Sequence, residues 1–350
     1  MKISIGTNIQ EGPWGGGNLF AINFKDYLEK RGHKVVFDLK DIDIDIILLT
    51  EPRRTSPSSA FTNYDVEDYI LYKNPDALVV HRVNECDEHK DTNFINKYIA
   101  YANKCADATI FVSSWIRDLY LSYDHIKEKP YEVVLAGSNN KIFNSNNLKQ
   151  WDKKTKFKLV THHWSNNWNK GFDIYKKIDE MLNDETFKEK IEFNFIGRLP
   201  DNLFLKNTNV IPPMHGIDLA KELQKNNFYI TGTINEPSGN HHIEAAQCGL
   251  PILYIDSGGV KEYCEGYGIE YNIDNLKTKI NESIEKYDEY FEKVKNYDKN
   301  SDFMCNDFLN FFEKILKEKS YLQKNRKLQR RSLLKIAYLK LNRFNFIKNR

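Results

Sequence analysis

The sequence predicts an α/β fold in which two doubly wound parallel-sheet domains face each other across a cleft. The chain has 350 residues, which is long for one hydrophobic core and ordinary for two domains. Short apolar runs alternate with helical patterns in both halves, and strands separated by helices form parallel sheets with right-handed crossovers. A strand, a loop and a helix follow one another around residue 240. That order is typical of the carboxyl edge of an open sheet, where ligands bind.

Composition favours a globular protein of a reducing compartment. Of the residues, 41% are apolar and 13% aromatic, which argues against disorder. The five cysteines form no Cys-x-x-Cys pair, so reduced thiols are expected and not a disulfide framework or a zinc site. Residues 2–6 already read as a strand, so no signal peptide is expected, and no apolar run approaches the roughly 18 residues of a membrane span. We therefore expect a cytoplasmic location.

The N-terminal half contains six predicted strands, each a short apolar run beside a turn or a helical pattern. They are residues 2–6, 34–38, 45–49, 77–81, 108–112 and 132–135. The first strand leads through a loop into a helix whose apolar side chains recur at helical spacing and which ends at Gly32. The polar stretch at 144–155 separates the two halves, and we assign residues 1–148 to an N-terminal domain.

The second half repeats this order of elements. Its predicted strands are residues 158–161, 192–196, 209–211, 227–233 and 252–256. Two helices are predicted after them, because apolar residues recur at helical spacing over 276–294 and again over 304–315. We assign residues 149–300 to a C-terminal domain.

Two glutamates, Glu236 and Glu244, stand eight positions apart after the predicted strand 227–233. Glu236 is expected on the loop that leaves this strand, at the ligand-binding edge of the sheet. A helix starting near Gly239 would place Glu244 about one and a half turns into it. One carboxylate near a sugar and one near a ribose indicate a sugar-nucleotide site.

The start of this helix is the predicted phosphate site. Its first backbone N–H groups have no partner within the helix, and the helix dipole favours an anion there. These N–H groups are expected from Gly239, Asn240 and His241. The sequence therefore predicts that these three residues bind the diphosphate.

This segment resembles the donor-site signature of the retaining glycosyltransferases of family 4, which have the GT-B fold of two Rossmann-like domains. The family pattern is Glu-x-x-Gly-x-x-x-x-Glu-Ala-x-x-x-Gly-x-Pro, and it is matched at Glu236, Gly239, Glu244, Ala245, Gly249 and Pro251. Downstream, residues 258–262 match the family's Gly-Gly-x-x-Glu. The resemblance implies sugar transfer from a nucleotide diphosphate sugar by a hexosyltransferase of class EC 2.4. Retention of configuration is implied, with no metal or other cofactor.

The resemblance also implies roles for individual residues. Glu236 would bind sugar hydroxyls and oppose the positive charge that develops at the anomeric carbon, and Glu244 would bind the ribose. Lys170 and Gly171 match the family's Lys-Gly, whose lysine neutralises the departing diphosphate. The Gly-Arg that precedes this lysine in the family is missing, so Ser165 is expected as one of the neutral donors that replace it. A solvated surface lysine is the alternative for Lys170.

Gly15, Gly16 and Gly17 follow the first strand and open the first helix. Glycines there let the backbone approach a ligand without a side chain in the way. They resemble the Gly-Gly turn that lies against the donor phosphates in family 4. A flexible turn without a ligand is the alternative.

His81 ends the predicted fourth strand, where family members often carry a functional histidine that faces the cleft. A histidine there can exchange protons near neutral pH, so His81 is a catalytic candidate, with a structural histidine as the alternative. The residues that follow, Arg82, Asn84 and Glu85, are candidate acceptor contacts.

The chain ends in a strongly basic segment. Residues 319–350 contain 11 Lys or Arg and no Asp or Glu, with apolar residues between them. We expect the helix at 301–320 to pack back on the N-terminal domain, as terminal helices of the GT-B fold commonly do. The tail at 321–350 has the pattern of a basic amphipathic helix that contacts an anionic membrane surface, a partner protein or the acidic body. Nucleic-acid binding is not expected, since the rest of the chain is acidic.

Two other functions fit the sequence. The missing Gly-Arg is compatible with a non-catalytic sugar-nucleotide-binding partner protein. Another GT-B chemistry, such as epimerisation or phosphorolysis, is the second alternative, because one fold hosts many functions. The acceptor is unspecified by either reading and could be a glycan, a lipid-linked sugar, a protein or a small molecule.

Overall fold

The structure, a computed structural model, describes residues 1–10 and 15–328. It contains two six-stranded parallel sheets with helices on their faces, which confirms the predicted α/β fold of two doubly wound domains. Burial on both faces explains why the inner strands are continuous apolar runs. Residues 329–350, most of the predicted basic tail, lie outside the described residues. Among the residues that are described, no helix is long and apolar enough to cross a membrane.

The first sheet has the strand order β2-β1-β3-β4-β5-β6. Its strands are β1 (Lys2–Ile5), β2 (Lys34–Val36), β3 (Ile46–Leu49), β4 (Leu78–Val83), β5 (Ala108–Phe111) and β6 (Tyr131–Val133). Its helices are α1 (Gly16–Glu29), α2 (Asn63–Tyr72), α3 (Asp87–Lys90), α4 (Ile95–Ala102), α5 (Ser114–Tyr120) and α6 (Asp124–Lys127).

The second sheet has the order β12-β11-β10-β7-β8-β9. Its strands are β7 (Phe157–His163), β8 (Ile191–Gly197), β9 (Asn209–Ile211), β10 (Phe228–Thr231), β11 (Ile252–Tyr254) and β12 (Gly268–Glu270). The helices are α7 (Phe172–Met181), α8 (Glu185–Lys188), α9 (Gly216–Leu223), α10 (Asn240–Gln247), α11 (Val260–Cys264), α12 (Leu276–Glu285), α13 (Tyr287–Val294), α14 (Ser301–Lys317) and α15 (Lys319–Asn325).

Helix α14 follows the second sheet in the chain but packs on α1 of the first. The Phe308 ring lies 5.0 Å from that of Phe20, and the Phe312 ring lies 5.8 Å from that of Phe24. All four rings are buried, and each contributes roughly 2 kcal/mol by its removal from water. Helix α14 therefore packs on the N-terminal domain.

Three details of the sequence-based assignment are wrong. Strand β4 does not end at His81 but continues to Val83, because Arg82 and Val83 pair with β5. Strand β12 was not predicted, since it has three residues and gains its regularity from pairing with β11. The helix predicted over 276–294 is two helices that meet at Lys286. There the buried Tyr287 turns inward, and its hydroxyl accepts a hydrogen bond from the Trp151 N–H at 3.1 Å.

Arg326, just after α15, joins this segment to the N-terminal sheet. Its guanidinium contacts both oxygens of Asp107, at 2.9 and 2.7 Å, and donates to the Ala77 carbonyl at 2.7 Å. The Asp107 side chain is 1% exposed and also accepts from the Val79 N–H. Removal of one partner from a buried pair leaves an uncompensated charge.

We expect Arg326→Ala to lower the free energy of unfolding by about 3 kcal/mol, because Asp107 then stays buried without its cation. Urea denaturation measures this change. Lys327→Ala is the matched control, since the Lys327–Glu128 pair is exposed on both sides and such pairs contribute less than about 1 kcal/mol. Equal urea midpoints for the two variants would show that the contacts of Arg326 with the N-terminal sheet do not stabilise the protein.

Candidate active site

The loop between β10 and α10 carries Glu236, and hydrogen bonds join it to the loop between β11 and α11. Gly259 donates its N–H to the Glu236 carbonyl at 2.9 Å, and the Asn235 N–H donates to the Ser257 hydroxyl at 2.8 Å. A side chain at Gly258 would lie 2.5 Å from the Glu236 carbonyl oxygen, and Gly258 has a positive φ of 68°. The glycine pair that the sequence singled out is thus required by close packing of two loops.

The Glu236 carboxylate is 6% exposed and lies in a group of polar side chains. Its Oε2 is 2.5 Å from Lys170 Nζ, 3.0 Å from Thr233 Oγ1 and 3.3 Å from His89 Nε2. Burial opposes the charged form, but Lys170 and His89 outweigh it and hold the pKa of Glu236 well below its usual value. Glu236 is therefore an anion at neutral pH.

Lys170 reaches Glu236 because its backbone is packed against β10. The helical turn Trp168–Lys170 precedes Gly171, whose φ is 97° and whose Cβ, if present, would lie 2.4 Å from the Gly232 carbonyl carbon. The Ile234 N–H donates to the Asn169 carbonyl at 2.8 Å. The Lys-Gly pair and the glutamate loop are therefore one structural unit, and Lys170 is not a solvated surface lysine.

His89 joins this unit from the N-terminal domain and was missed in the sequence. It lies on α3, and its Nδ1 is 3.1 Å from Glu85 Oε1, while its Nε2 faces Glu236 and Lys170. Burial lowers its basicity, but Glu236 and Glu85 raise the pKa of His89 above its usual value. The spacing of Glu85 and His89, four residues apart, was the signal in the sequence, but nothing local links it to Glu236.

His81 has a different environment from the predicted one. It lies inside β4, is buried, and its Nδ1 is 3.2 Å from the Asn103 side-chain amide nitrogen. Burial lowers its pKa to about 3, so it is neutral at pH 7. The structure does not bring it to Glu236; His89 occupies that place. Of the three acceptor candidates after it, Asn84 and Glu85 are half-buried and Arg82 is buried.

Glu244 is the fifth residue of α10 and is also buried. Its Oε2 lies 3.0 Å from Nε2 of His162, near the end of β7. His162 stands in the segment where the family pattern has Gly-Arg, and no local pattern predicts its contact with Glu244. The pair fixes the orientation of the Glu244 carboxylate.

Two helix starts face each other across the domains. Gly15 and Gly239 are the residues before α1 and α10, and neither helix start has a side-chain cap. A Cβ at Gly16 would lie 2.9 Å from the Asn240 side-chain amide nitrogen, so the start of α1 lies close to this side chain. The first N–H groups of a helix have no partner within the helix, so a helix start offers donors to an anion.

The other predicted donor contacts have different environments. His241 is buried and its Nε2 is 2.9 Å from the Thr231 hydroxyl, so its side chain points into the C-terminal domain. Ser165 is exposed and its hydroxyl accepts from the Asn167 N–H at 3.2 Å. Gly17 lies within the first turn of α1 with open space around its α-carbon.

Helix α11 holds the two domains together. The Glu262 carboxylate accepts the N–H groups of Ser114 and Trp115 at 2.8 and 3.2 Å, at the positive end of α5. The Tyr263 hydroxyl donates to the Val112 carbonyl at 2.5 Å and accepts from the Ala136 N–H at 2.9 Å. The last glutamate of the sequence motif therefore bridges the domains.

Within residues 1–10 and 15–328, no group of three or more His, Cys, Asp or Glu side chains is arranged to hold a metal ion.

Solved structures of other proteins have a similar fold. A glycosyltransferase from Rickettsia africae is similar at a TM-score of 0.65 and 13% identity, over 90% of this chain and 98% of that one. WaaG, a glycosyltransferase involved in lipopolysaccharide biosynthesis, is similar at 0.62 and 12%, over 89% and 99%. Anabaena HepE in complex with UDP and glucose is similar at 0.61 and 13%, over 91% and 99%.

These likenesses show a shared fold, and they confirm the predicted GT-B architecture. The sequence itself matches no protein-family model and no curated protein.

Proposed function

We propose that this protein is a glycosyltransferase that moves a sugar from a nucleotide diphosphate sugar to an acceptor. The observation that carries the proposal is the buried group of Glu236, Lys170 and His89, which contains an ionised carboxylate and a cation in contact. Lys170 and Glu236 lie on the loops that leave β7 and β10, where open α/β sheets bind ligands, and His89 reaches them from α3. The shared fold with glycosyltransferases supports the same reading.

In this proposal the chain supplies opposite charges to the two ends of the bond that breaks. Glu236 faces the positive charge that develops at the anomeric carbon. Lys170 and the start of α10 stabilise the diphosphate that departs. Both groups are fixed before the substrate arrives, so they stabilise the transition state without reorganisation.

His89 is proposed to hydrogen-bond the sugar or the acceptor hydroxyl next to Glu236. Its Nδ1 is held by Glu85, so its Nε2 points into the site. The acceptor is proposed to enter along the N-terminal side, past Asn84 and Glu85. Transfer is proposed to proceed with retention, by attack on the face from which the diphosphate leaves, without an essential metal.

A non-catalytic sugar-nucleotide binder is the second candidate. Glu244 already has a partner in His162, and the Gly-Arg of the family pattern is absent. Binding of a donor without its hydrolysis or transfer would favour this candidate.

The donor site is tested by thermal shift with a panel of nucleoside diphosphates and their sugars. We expect nucleotides of one base to stabilise the protein. We expect Glu244→Gln to lower the affinity for that nucleotide about tenfold, because a charge-assisted hydrogen bond to the ribose is lost. Glu265→Gln, at an exposed position of the same domain, is the control. Unchanged affinity in Glu244→Gln would remove the ribose contact from the proposal.

A further inference from the structure

Arg82 carries a buried positive charge. It is 5% exposed, and no carboxylate among the described residues forms an ion pair with it. Its Nε has no hydrogen-bond partner within the same part of the chain. Burial lowers its pKa to about 10, so it stays protonated at neutral pH. An unpaired buried charge is costly to folding, and an anionic ligand would supply the missing countercharge.

The guanidinium lies against helix α1. Its carbon is 4.3 Å from the centre of the Phe20 ring, in the second turn of α1. Leu78 and Val80, on the same face of β4, belong to one core with Phe20, so Arg82 continues this face toward the carboxyl edge of the sheet. The start of α1 meets Asn240 of α10 through Gly16. The stacking on Phe20 compensates only part of the buried charge.

A diphosphate needs more positive charge than the rest of the site offers. Lys170 is already paired with Glu236 at 2.5 Å. Arg198, the other arginine near this edge, is exposed and stacks on the Trp164 ring at 4.6 Å. A guanidinium presents five N–H donors in a plane, a geometry that matches phosphate oxygens.

We propose that Arg82 binds a phosphate group of the donor's diphosphate and replaces the missing arginine of the family pattern. The inference rests on the proposed glycosyltransferase function. It moves Arg82 from the acceptor side to the donor side of the site, and it assigns the N-terminal domain a charge that acts on the leaving group.

The test compares Arg82→Met with wild type by calorimetry, using UDP, inorganic pyrophosphate and uridine. We expect the Kd of UDP and of pyrophosphate to rise 10- to 100-fold, because a charge-assisted bidentate contact is lost. The Kd of uridine, which has no phosphate, should change less than threefold. Arg82→Lys keeps the charge without the planar fork and should lie between the two.

Stability separates this role from a structural one. Arg82→Met removes an uncompensated charge, so the urea midpoint of the free protein should stay or rise. Arg31→Met is the matched control, since Arg31 also stacks on a ring of α1, that of Tyr27, and should leave UDP binding unchanged.

Three outcomes would overturn the inference. If wild type binds UDP or pyrophosphate and Arg82→Met binds it equally well, the phosphate contact of Arg82 is rejected while the proposed function stands. If Arg82→Met raises the KM for the acceptor but leaves the affinity for UDP unchanged, Arg82 binds an anionic group of the acceptor and not the donor's diphosphate. A wild-type protein that binds none of UDP, ADP, GDP and pyrophosphate would reject this inference and the proposed function together.

Discussion

Replacement of Glu236 by glutamine is expected to reduce kcat about 1000-fold while nucleotide binding is retained. The amide keeps the size of the side chain and a contact to Thr233 but removes the anion that opposes charge at the anomeric carbon. Because Lys170 then loses its partner, its full charge is available to the diphosphate, so the Kd of the nucleoside diphosphate should stay or fall. The effect therefore appears in kcat and not in binding.

Folding controls belong to this experiment, because Glu236→Gln removes the carboxylate that pairs with the half-buried Lys170. The urea midpoint of each variant shows how much of the loss is structural. The double variant Glu236→Gln, Lys170→Met removes both charges and should recover stability but not turnover. Glu265→Gln, at an exposed site, should behave as wild type. Near-normal turnover in Glu236→Gln would end the role given to this carboxylate.

Mild acid is expected to destabilise the protein strongly. His81, His163, His241 and His242 are buried, and burial is the main cause that lowers all four pKa values, to about 3 for His81 and about 4 for His242. The unfolded chain takes up these protons below its pKa of about 6.5, whereas the folded chain does not. Stability is therefore lost as pH falls from about 6.5 toward the folded-state values.

Each such histidine changes the free energy of unfolding by about 1.4 kcal/mol per pH unit within this window. Four together should remove about 5 kcal/mol between pH 6 and pH 5. His89 acts in the opposite direction, because its pKa is raised: its contribution is fully present below about 6.5 and is lost as pH rises through the folded value. The pKa of Glu236 is lowered, so the stability that this carboxylate contributes is lost only as pH falls below about 4.5.

Urea denaturation at pH 7, 6 and 5 measures this loss. His242→Phe tests its cause, since neither ring nitrogen of His242 has a hydrogen-bond partner within the described residues. The variant should flatten the pH dependence by about a quarter. A urea midpoint that does not change between pH 7 and pH 5 would show that these histidines do not remain neutral in the folded protein.

The sequence could place Glu236 and Glu244 because both positions depend on local order. A strand, a loop and a helix follow one another within about 20 residues, and the register of the helix determines where Glu244 lies. The same reasoning located Lys170, because it lies on the loop that follows β7 and precedes α7.

Contacts between domains could not be predicted in this way. His89 lies 147 positions before Glu236 in the sequence. The two residues meet because α3 packs against the C-terminal domain, and no local pattern in the sequence predicts this contact. His81 is the candidate that the sequence predicts, because it stands at the end of the predicted strand 77–81, whereas pairing with β5 extends this strand to Val83. Glu262 matched a motif, but its contact with the start of α5 depends on how two domains meet.

Turnover of a nucleotide diphosphate sugar decides whether the protein is a glycosyltransferase. The donor chosen by thermal shift is incubated with wild type and with Glu236→Gln, and released nucleoside diphosphate and free or transferred sugar are quantified. We expect release by wild type, a loss of about 1000-fold in Glu236→Gln and unchanged nucleotide binding in both. Tight donor binding without release by wild type, with or without candidate acceptors, would contradict it and identify the protein as a non-catalytic binder.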